Sequence, residues 1–389
     1  MARAFLDYNA TCLPRNAAKE AVAAEMMAPA NASSVHTEGR AARALVEDAR
    51  AQLAAQLGAD PAAIFFTSGA TESNATALAP ELELEGKPVR CDVLILSAVE
   101  HPAVRAGGRF REDQIEYVPV DGSGVIELHA LEEALEKHSN AGRRAFVSIM
   151  AANNETGVLQ PLRAVADRVR AAKGVFHSDA VQVFGKIPFD IKESGADLVS
   201  ITSHKLGGPQ GVGALVARHP DTRVPAIMRG GGQERGRRQG TETVAGIAGF
   251  AAAATEAAQT LTPEGSRLAT LRAKLEEGIR KVAPDAVIFG ERAARLPNTT
   301  FFSAPGIDAQ TALMLFDLDG VALSAGSACS SGKSAASPTL QAMGVTSEIG
   351  RGAMRVSTGW NTSDADVTQF LSVWSKVYTS LKKGGVRAA

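Results

Sequence analysis

The sequence predicts an α/β protein: a large domain with a mostly parallel sheet flanked by helices, followed by a smaller α+β domain. Three observations carry this expectation. Short apolar runs alternate with longer amphipathic segments up to about residue 245, the composition then turns Ala-rich and helix-forming, and the apolar runs beyond are shorter and weaker. At 389 residues the chain is long enough to bury two cores.

The elements follow in order. Strands are expected at Ile64–Phe66, Val93–Ser97, Ile115–Val118, Phe146–Met150, Val175–His177, Leu198–Thr202 and Ala214–Ala217, with helical patterns between many of them, as in Leu128–His138 and Leu162–Lys173. Strands alternating with helices make βαβ units, whose right-handed crossovers put helices on both faces of the sheet. Gly246–Leu261 is an Ala-rich helical connector and Gly265–Val282 continues with strong helix formers. Strands near Thr299–Phe302 and Val321–Ser324 belong to the second domain. Between Ser324 and Ser337 the chain is dominated by Ser, Ala and Gly. Side chains that small cannot pin a loop by packing, so this segment is expected to be mobile.

Composition narrows the function classes. Net charge is −1, with 45% hydrophobic and 21% charged residues, an ordinary globular balance that favours neither nucleic acid nor an anionic membrane surface as a partner. No apolar run reaches the roughly 20 residues of a membrane helix, and the first residues carry charge rather than a signal-type apolar core. The three cysteines, Cys12, Cys91 and Cys329, are far apart and form no C-x-x-C pair. That argues against a disulfide framework or zinc knuckle and for a reducing, cytoplasmic setting.

Ligands of open α/β sheets bind beyond the carboxyl ends of the strands. Here five apolar runs are each followed by a polar cluster: Thr67–Ser73, Glu100–His101, Asn153–Glu155, Asp179 with Gln182, and Thr202–Lys205. In the first, Ser, Thr and Gly serve equally as a helix cap or as a phosphate cradle, with Gly69, Ala70 and Thr71 aiming backbone N–H groups from a helix N-terminus. Lys205 is a surface lysine or, following a buried strand and preceding Gly207-Gly208-Pro209, an amine suited to a Schiff base. Asp179 is a turn residue or the partner of a pyridinium nitrogen. His101 is a structural histidine or a flat ring placed over a flat cofactor.

Other readings of these residues are weaker. His101, His177, Asp179 and His204 offer metal-ligand types, yet no pair has the helical H-x-x-x-H spacing, so no metal is expected. Gly326-Ser327-Ala328-Cys329-Ser330-Ser331-Gly332-Lys333-Ser334 approaches a nucleotide-binding P-loop but has five residues between its glycines where four are needed. Gly230–Gly232 with Arg235, Arg237 and Arg238 reads as an anion-binding turn; without an aromatic platform it does not read as a nucleic-acid loop.

In joint order and spacing, these residues resemble the cysteine desulfurases of the pyridoxal-phosphate (PLP)-dependent fold-type I, class V aminotransferase group. The likeness runs over nearly the whole chain. It includes Leu6–Thr11, Phe66–Ser73, Glu100-His101, Asn153–Gly157, His177–Gln182, Ser203–Lys205, Gly230–Gly236, Arg238–Thr241, Gly326–Cys329 and Arg355–Ser357. The resemblance implies that Lys205 carries the cofactor and moves the Cα proton. It implies that Asp179 pairs with the pyridine nitrogen, Gln182 reaches the ring hydroxyl and His101 stacks on the ring. Ala70, Thr71, Thr202 and His204 would hold the phosphate, with Thr241 reaching across from the second subunit of a homodimer. Asn154 and Arg355 would hold the substrate carboxylate, to which an arginine fork is matched. Cys329 would be the nucleophile that takes sulfur from L-cysteine as a persulfide. The chain would then pass that sulfur to acceptor proteins for iron–sulfur assembly or tRNA thiolation.

The implied domains are residues 15–258 for the large one and 1–14 with 259–389 for the small one. Ala152, Val181, Thr202-Ser203, Cys12 and the run Ser330–Lys333 depart from the usual family pattern. Selenocysteine lyase or another class V aminotransferase is the nearest alternative, and a nucleotide-binding protein using the near P-loop is the alternative of another class.

Overall fold

The computed structural model describes residues 3–28, 31–325 and 337–385. Cys329, the near P-loop and most of the expected mobile loop lie outside the described residues.

Seven strands form the main sheet in the order Ile64–Thr67, Gly213–Ala217, Leu198–Thr202, Val175–Asp179, Ala145–Ser148, Val93–Ser97, Ile115–Val118. Gly213–Ala217 is antiparallel to both neighbours, and the remaining pairings are parallel. Six strands therefore point their carboxyl ends at the same side. Every residue of Val93–Ser97, Val175–Asp179 and Leu198–Thr202 is buried. That explains why these strands read as continuous apolar runs: helices cover both faces, so no alternation with polar residues is required.

The Ala-rich connector and the segment after it are one helix, Val244–Val282, of 39 residues with Pro263 inside. A proline within a helix costs about 3 kcal/mol. Tertiary packing offsets it. Val244, Ile247, Phe250 and Ala254 pack into the large core, and Leu268, Leu271, Leu275 and Ile279 pack into the second. One helix thus serves both cores.

The second core gathers Phe302, Phe316, Phe370 and Trp374, with Phe316 and Phe370 stacked at 5.2 Å and Phe302 edge-on to Trp374 at 5.4 Å. Ala4 and Leu6 belong to it as well. Its four-stranded sheet runs Val287–Ile288, Thr299–Ser303, Met354–Ser357, Ser324–Ala325. The expected strand Val321–Ser324 is two short pieces, because Val321–Ala322 pairs instead with Ala4–Phe5. A hairpin, Glu81–Leu84 with Lys87–Arg90, was not expected. It turns on Glu85 and Gly86, both at positive φ (52° and 73°). That is the twist-compatible two-residue turn, carried here by Glu-Gly rather than the more telling Asn-Gly.

Candidate active site

A cavity of about 550 Å³ opens at the carboxyl ends of the parallel strands. Ala70, Thr71, His101, Asn154, Asp179, Gln182, Thr202, His204, Lys205 and Arg355 all line it. Residues spread over more than 280 positions of sequence meet there because each follows a strand or sits on one. Thr241 is exposed and is not part of the cavity lining.

One end of the cavity is built by backbone. The helix Ala70–Ala77 begins here, with Gly69 as its N-cap at φ 150°. The first N–H groups of a helix have no intrahelical acceptor and carry the positive end of its dipole, so this end suits an anion. Gly213 lies against it, and a Cβ there would fall 2.8 Å from the Gly69 Cα. Gly213 thus lets the strand approach the helix start closely. Ser68 N–H donates to Glu72 Oε2 at 2.7 Å, and Glu72 pairs with Arg238 at 3.0 Å. The Thr202 hydroxyl donates to the Val212 carbonyl at 3.2 Å, so in this arrangement it offers lone pairs rather than a proton to a ligand. Burial first, then the nearby Lys205 and Lys186 charges, pull the His204 pKa down to about 4.

Asp179, only 6% exposed, lines the same cavity. Its carboxylate accepts from Asn74 Nδ2 at 2.7 Å and from the Val181 N–H at 3.0 Å, which fixes its plane. His101 caps a short helix by accepting the Ala103 N–H on Nδ1 at 3.1 Å, leaving its proton on Nε2. Burial lowers the His101 pKa against the opposing pull of Asp179, with Lys205 adding to the lowering, so the ring is neutral at pH 7. Beneath it, Glu100 accepts the Met150 N–H at 2.7 Å, and burial raises its pKa well above the usual carboxylate range.

Lys205 ends a short 3-10 turn after the strand Leu198–Thr202. Its Nζ donates to the Asn9 carbonyl at 2.6 Å and the Ala10 carbonyl at 2.8 Å. Arg355 is buried and donates to the Asn154 carbonyl at 2.9 Å and to Asp7 Oδ1 at 2.6 Å. Its buried Nε has no hydrogen-bond partner among the described residues.

One sequence expectation reads differently in the structure. The arginines of the expected anion-binding turn are engaged within the chain: Arg238 with Glu72, Arg235 with Glu47, and Arg237 with the Ala62 and Pro220 carbonyls. His177 is held by Ser148 Oγ at 2.8 Å and Ser200 Oγ at 3.0 Å, within the sheet. No three His, Cys, Asp or Glu side chains converge as metal ligands among the described residues. Cys12 and Cys91 are raised by burial to about 11 and about 12, so both are protonated, weak nucleophiles at neutral pH.

Sequence reasoning missed Asn74 and gave no role to Asn9 or Asp7. Asn74 was findable: it lies one helical turn after Ala70 and therefore on the same face. Asn9 and Asp7 stand in the segment Leu6–Thr11, whose chemistry depends on a long-range return to the sheet that no local pattern encodes.

The class-V aminotransferase family profile matches residues 4–370. A cysteine desulfurase of Gluconacetobacter diazotrophicus is 38% identical over 97% of this chain and 94% of its own. An IscS-like cysteine desulfurase of Mycobacterium tuberculosis is 37% identical over 99% of each chain. A solved NifS-like protein from Rickettsia africae superposes with a TM-score of 0.87 at 33% identity, covering 97% of this chain and 99% of that one.

Proposed function

The chain belongs to the class-V aminotransferase family and, within it, to the cysteine desulfurases; from that premise we propose that it binds PLP in the cavity described and moves sulfur from L-cysteine to Cys329. The observation that carries the reading is that a rigidly held acid, Asp179, an amine, Lys205, and a helix N-terminus line one cavity.

The residues present fit the cofactor. Ala70 and Thr71 would hold its phosphate through the helix N-terminus. Asp179, with both oxygens hydrogen-bonded and facing the cavity, would pair with the ring nitrogen. Gln182 would donate to the ring oxygen, and His101 would cover one face of the ring. When bound, PLP supplies an electron sink at the substrate Cα.

The chain's own residues do the rest. Arg355 and Asn154 orient the substrate carboxylate. Lys205 carries a proton away from Cα and returns one. His101, neutral at pH 7, can accept and pass on a proton beside it. The Cys329 thiolate attacks the substrate sulfur, so an S–S bond forms as the Cβ–S bond breaks, and the released electron pair and a proton end on Cβ. The products balance: L-alanine, and Cys329 carrying one extra sulfur.

Acceptor proteins of iron–sulfur assembly or tRNA thiolation would consume that persulfide, a homodimer would complete the site with Thr241, and the cytoplasm would be the setting. Among the described residues no helix is long and apolar enough to cross a membrane.

The test is to incubate the PLP-loaded protein with L-cysteine and a thiol reductant. The expected result is alanine and sulfide in equal amounts, lost in Lys205→Ala together with the yellow absorption. A 2-oxo acid as product, or an unchanged spectrum in Lys205→Ala, contradicts the reading.

A further inference from the structure

Lys186 stands behind the cavity and has no part in the chemistry above. Its side chain is half-buried, and its Nζ donates to Gln182 Oε1 at 2.6 Å and to Asn9 Oδ1 at 2.9 Å. A lysine amine paired with two amide oxygens decides how both amides are turned, because at these sites it donates and cannot be replaced by an N–H facing it. Gln182 must then present its NH2 end elsewhere. One of those hydrogens goes to the Asn9 carbonyl at 3.1 Å, and Gln182 lines the cavity, so the second is what it offers to a ligand.

Asn9 is fixed by the same amine. Its Oδ1 also accepts from Asn298 Nδ2 at 3.0 Å, and its Nδ2 donates to Thr299 Oγ1 at 2.8 Å. With the amide so held, the Asn9 carbonyl receives both Gln182 and Lys205. Burial and the Lys205 charge lower the Lys186 pKa to about 7; the protonated form, with three donors and no lone pair, is the one that fixes both amides.

We propose that Lys186 is a positioning residue that sets the Gln182 amide so that its N–H, not its carbonyl oxygen, faces the ring oxygen of the bound cofactor. This rests on the cavity being a PLP site. With Lys186 replaced, the Gln182 amide can turn over and present its oxygen to another oxygen, which is repulsive.

The experiment is a double-mutant cycle of Lys186→Met and Gln182→Ala, read by PLP dissociation constant and by the absorption maximum of the bound cofactor, with melting temperature as fold control. Because a turned Gln182 amide would set its oxygen against the ring oxygen only when the cofactor is bound, Lys186→Met should weaken PLP binding about tenfold and shift the absorption band. The double variant should be no worse than Gln182→Ala alone, since one residue acts through the other. Lys186→Arg, which keeps several N–H donors, should restore the wild-type band. If Lys186→Met does not fold, Lys186→Gln, too short to reach both oxygens, takes its place in the cycle. Additive effects, or a wild-type band in Lys186→Met, overturn the inference and leave the PLP reading intact. A wild-type protein that binds no PLP overturns both.

Discussion

Glu155 shows at the scale of one residue how burial sets a titration. It is 7% exposed and accepts from Ser337 Oγ and from Thr339 Oγ1, the latter at 3.0 Å. Burial raises its pKa from 4.5 to about 6, against those two hydroxyls and Arg355, which lower it. The folded state therefore favours the protonated form. The stability this contributes is complete below about pH 4.5 and is lost as pH rises through about 6. A shift of this size corresponds to roughly 2 kcal/mol. Urea unfolding of wild type and Glu155→Gln should show wild type losing about 2 kcal/mol relative to the variant from about pH 3.5 to about pH 7; a pH-independent difference would refute the assignment. Most residues lining the cavity were legible in the sequence, because a polar residue directly after a buried strand has few places to go. Lys186 was not, since it acts on Gln182 and Asn9 rather than on the cavity itself, and such pairing is visible only in three dimensions.

At the scale of elements, the strands were legible wherever both faces are buried, as at Val93–Ser97 and Leu198–Thr202, and the helices wherever one stripe is apolar. Errors fell where tertiary contact overrules local signal. Val321–Ser324 is shared between two sheets, and the hairpin Glu81–Leu84 with Lys87–Arg90 was not expected. The junction of Thr67 with the helix Ala70–Ala77 carries the most specific prediction. Gly69 has room for a methyl group, since the nearest atom to a built Cβ is Thr202 Oγ1 at 4.0 Å. Its φ of 150° with ψ of 177°, however, is a region essentially reserved for glycine. Gly69→Ala should therefore cost roughly 1–3 kcal/mol of backbone strain or retract the helix start from the cavity. We expect a lowered melting temperature and PLP binding weaker by about tenfold or more, with Arg355 and the substrate end unaffected. Wild-type PLP affinity in Gly69→Ala would show that the helix start does not serve the phosphate.

For the whole molecule, two cores joined by one 39-residue helix hold the cavity between residues of both: Asp179 and Lys205 come from the main sheet, while Arg355 comes from the second. The fold class was legible from the alternation of strands and helices. Assembly was not, because composition says little about which surface pairs. Thr241 is exposed and stands apart from the cavity lining, which is the position expected of a residue completing a partner's site. Sedimentation should find a dimer, and Thr241→Ala should weaken PLP binding although it touches nothing in its own cavity; a fully active monomer would contradict the shared site.

The central claim, that sulfur leaves L-cysteine and rests on Cys329, has one direct test. The PLP-loaded protein is pulsed with L-cysteine without reductant, alkylated, digested and analysed by mass spectrometry, beside Cys329→Ser, Cys12→Ser and Cys91→Ser. The account predicts one added sulfur on the Cys329 peptide of the wild type and of the Cys12 and Cys91 variants. It predicts that Cys329→Ser keeps its cofactor absorption yet loses sulfur transfer by orders of magnitude. Normal turnover by Cys329→Ser, or the added sulfur on Cys12 or Cys91, would contradict it.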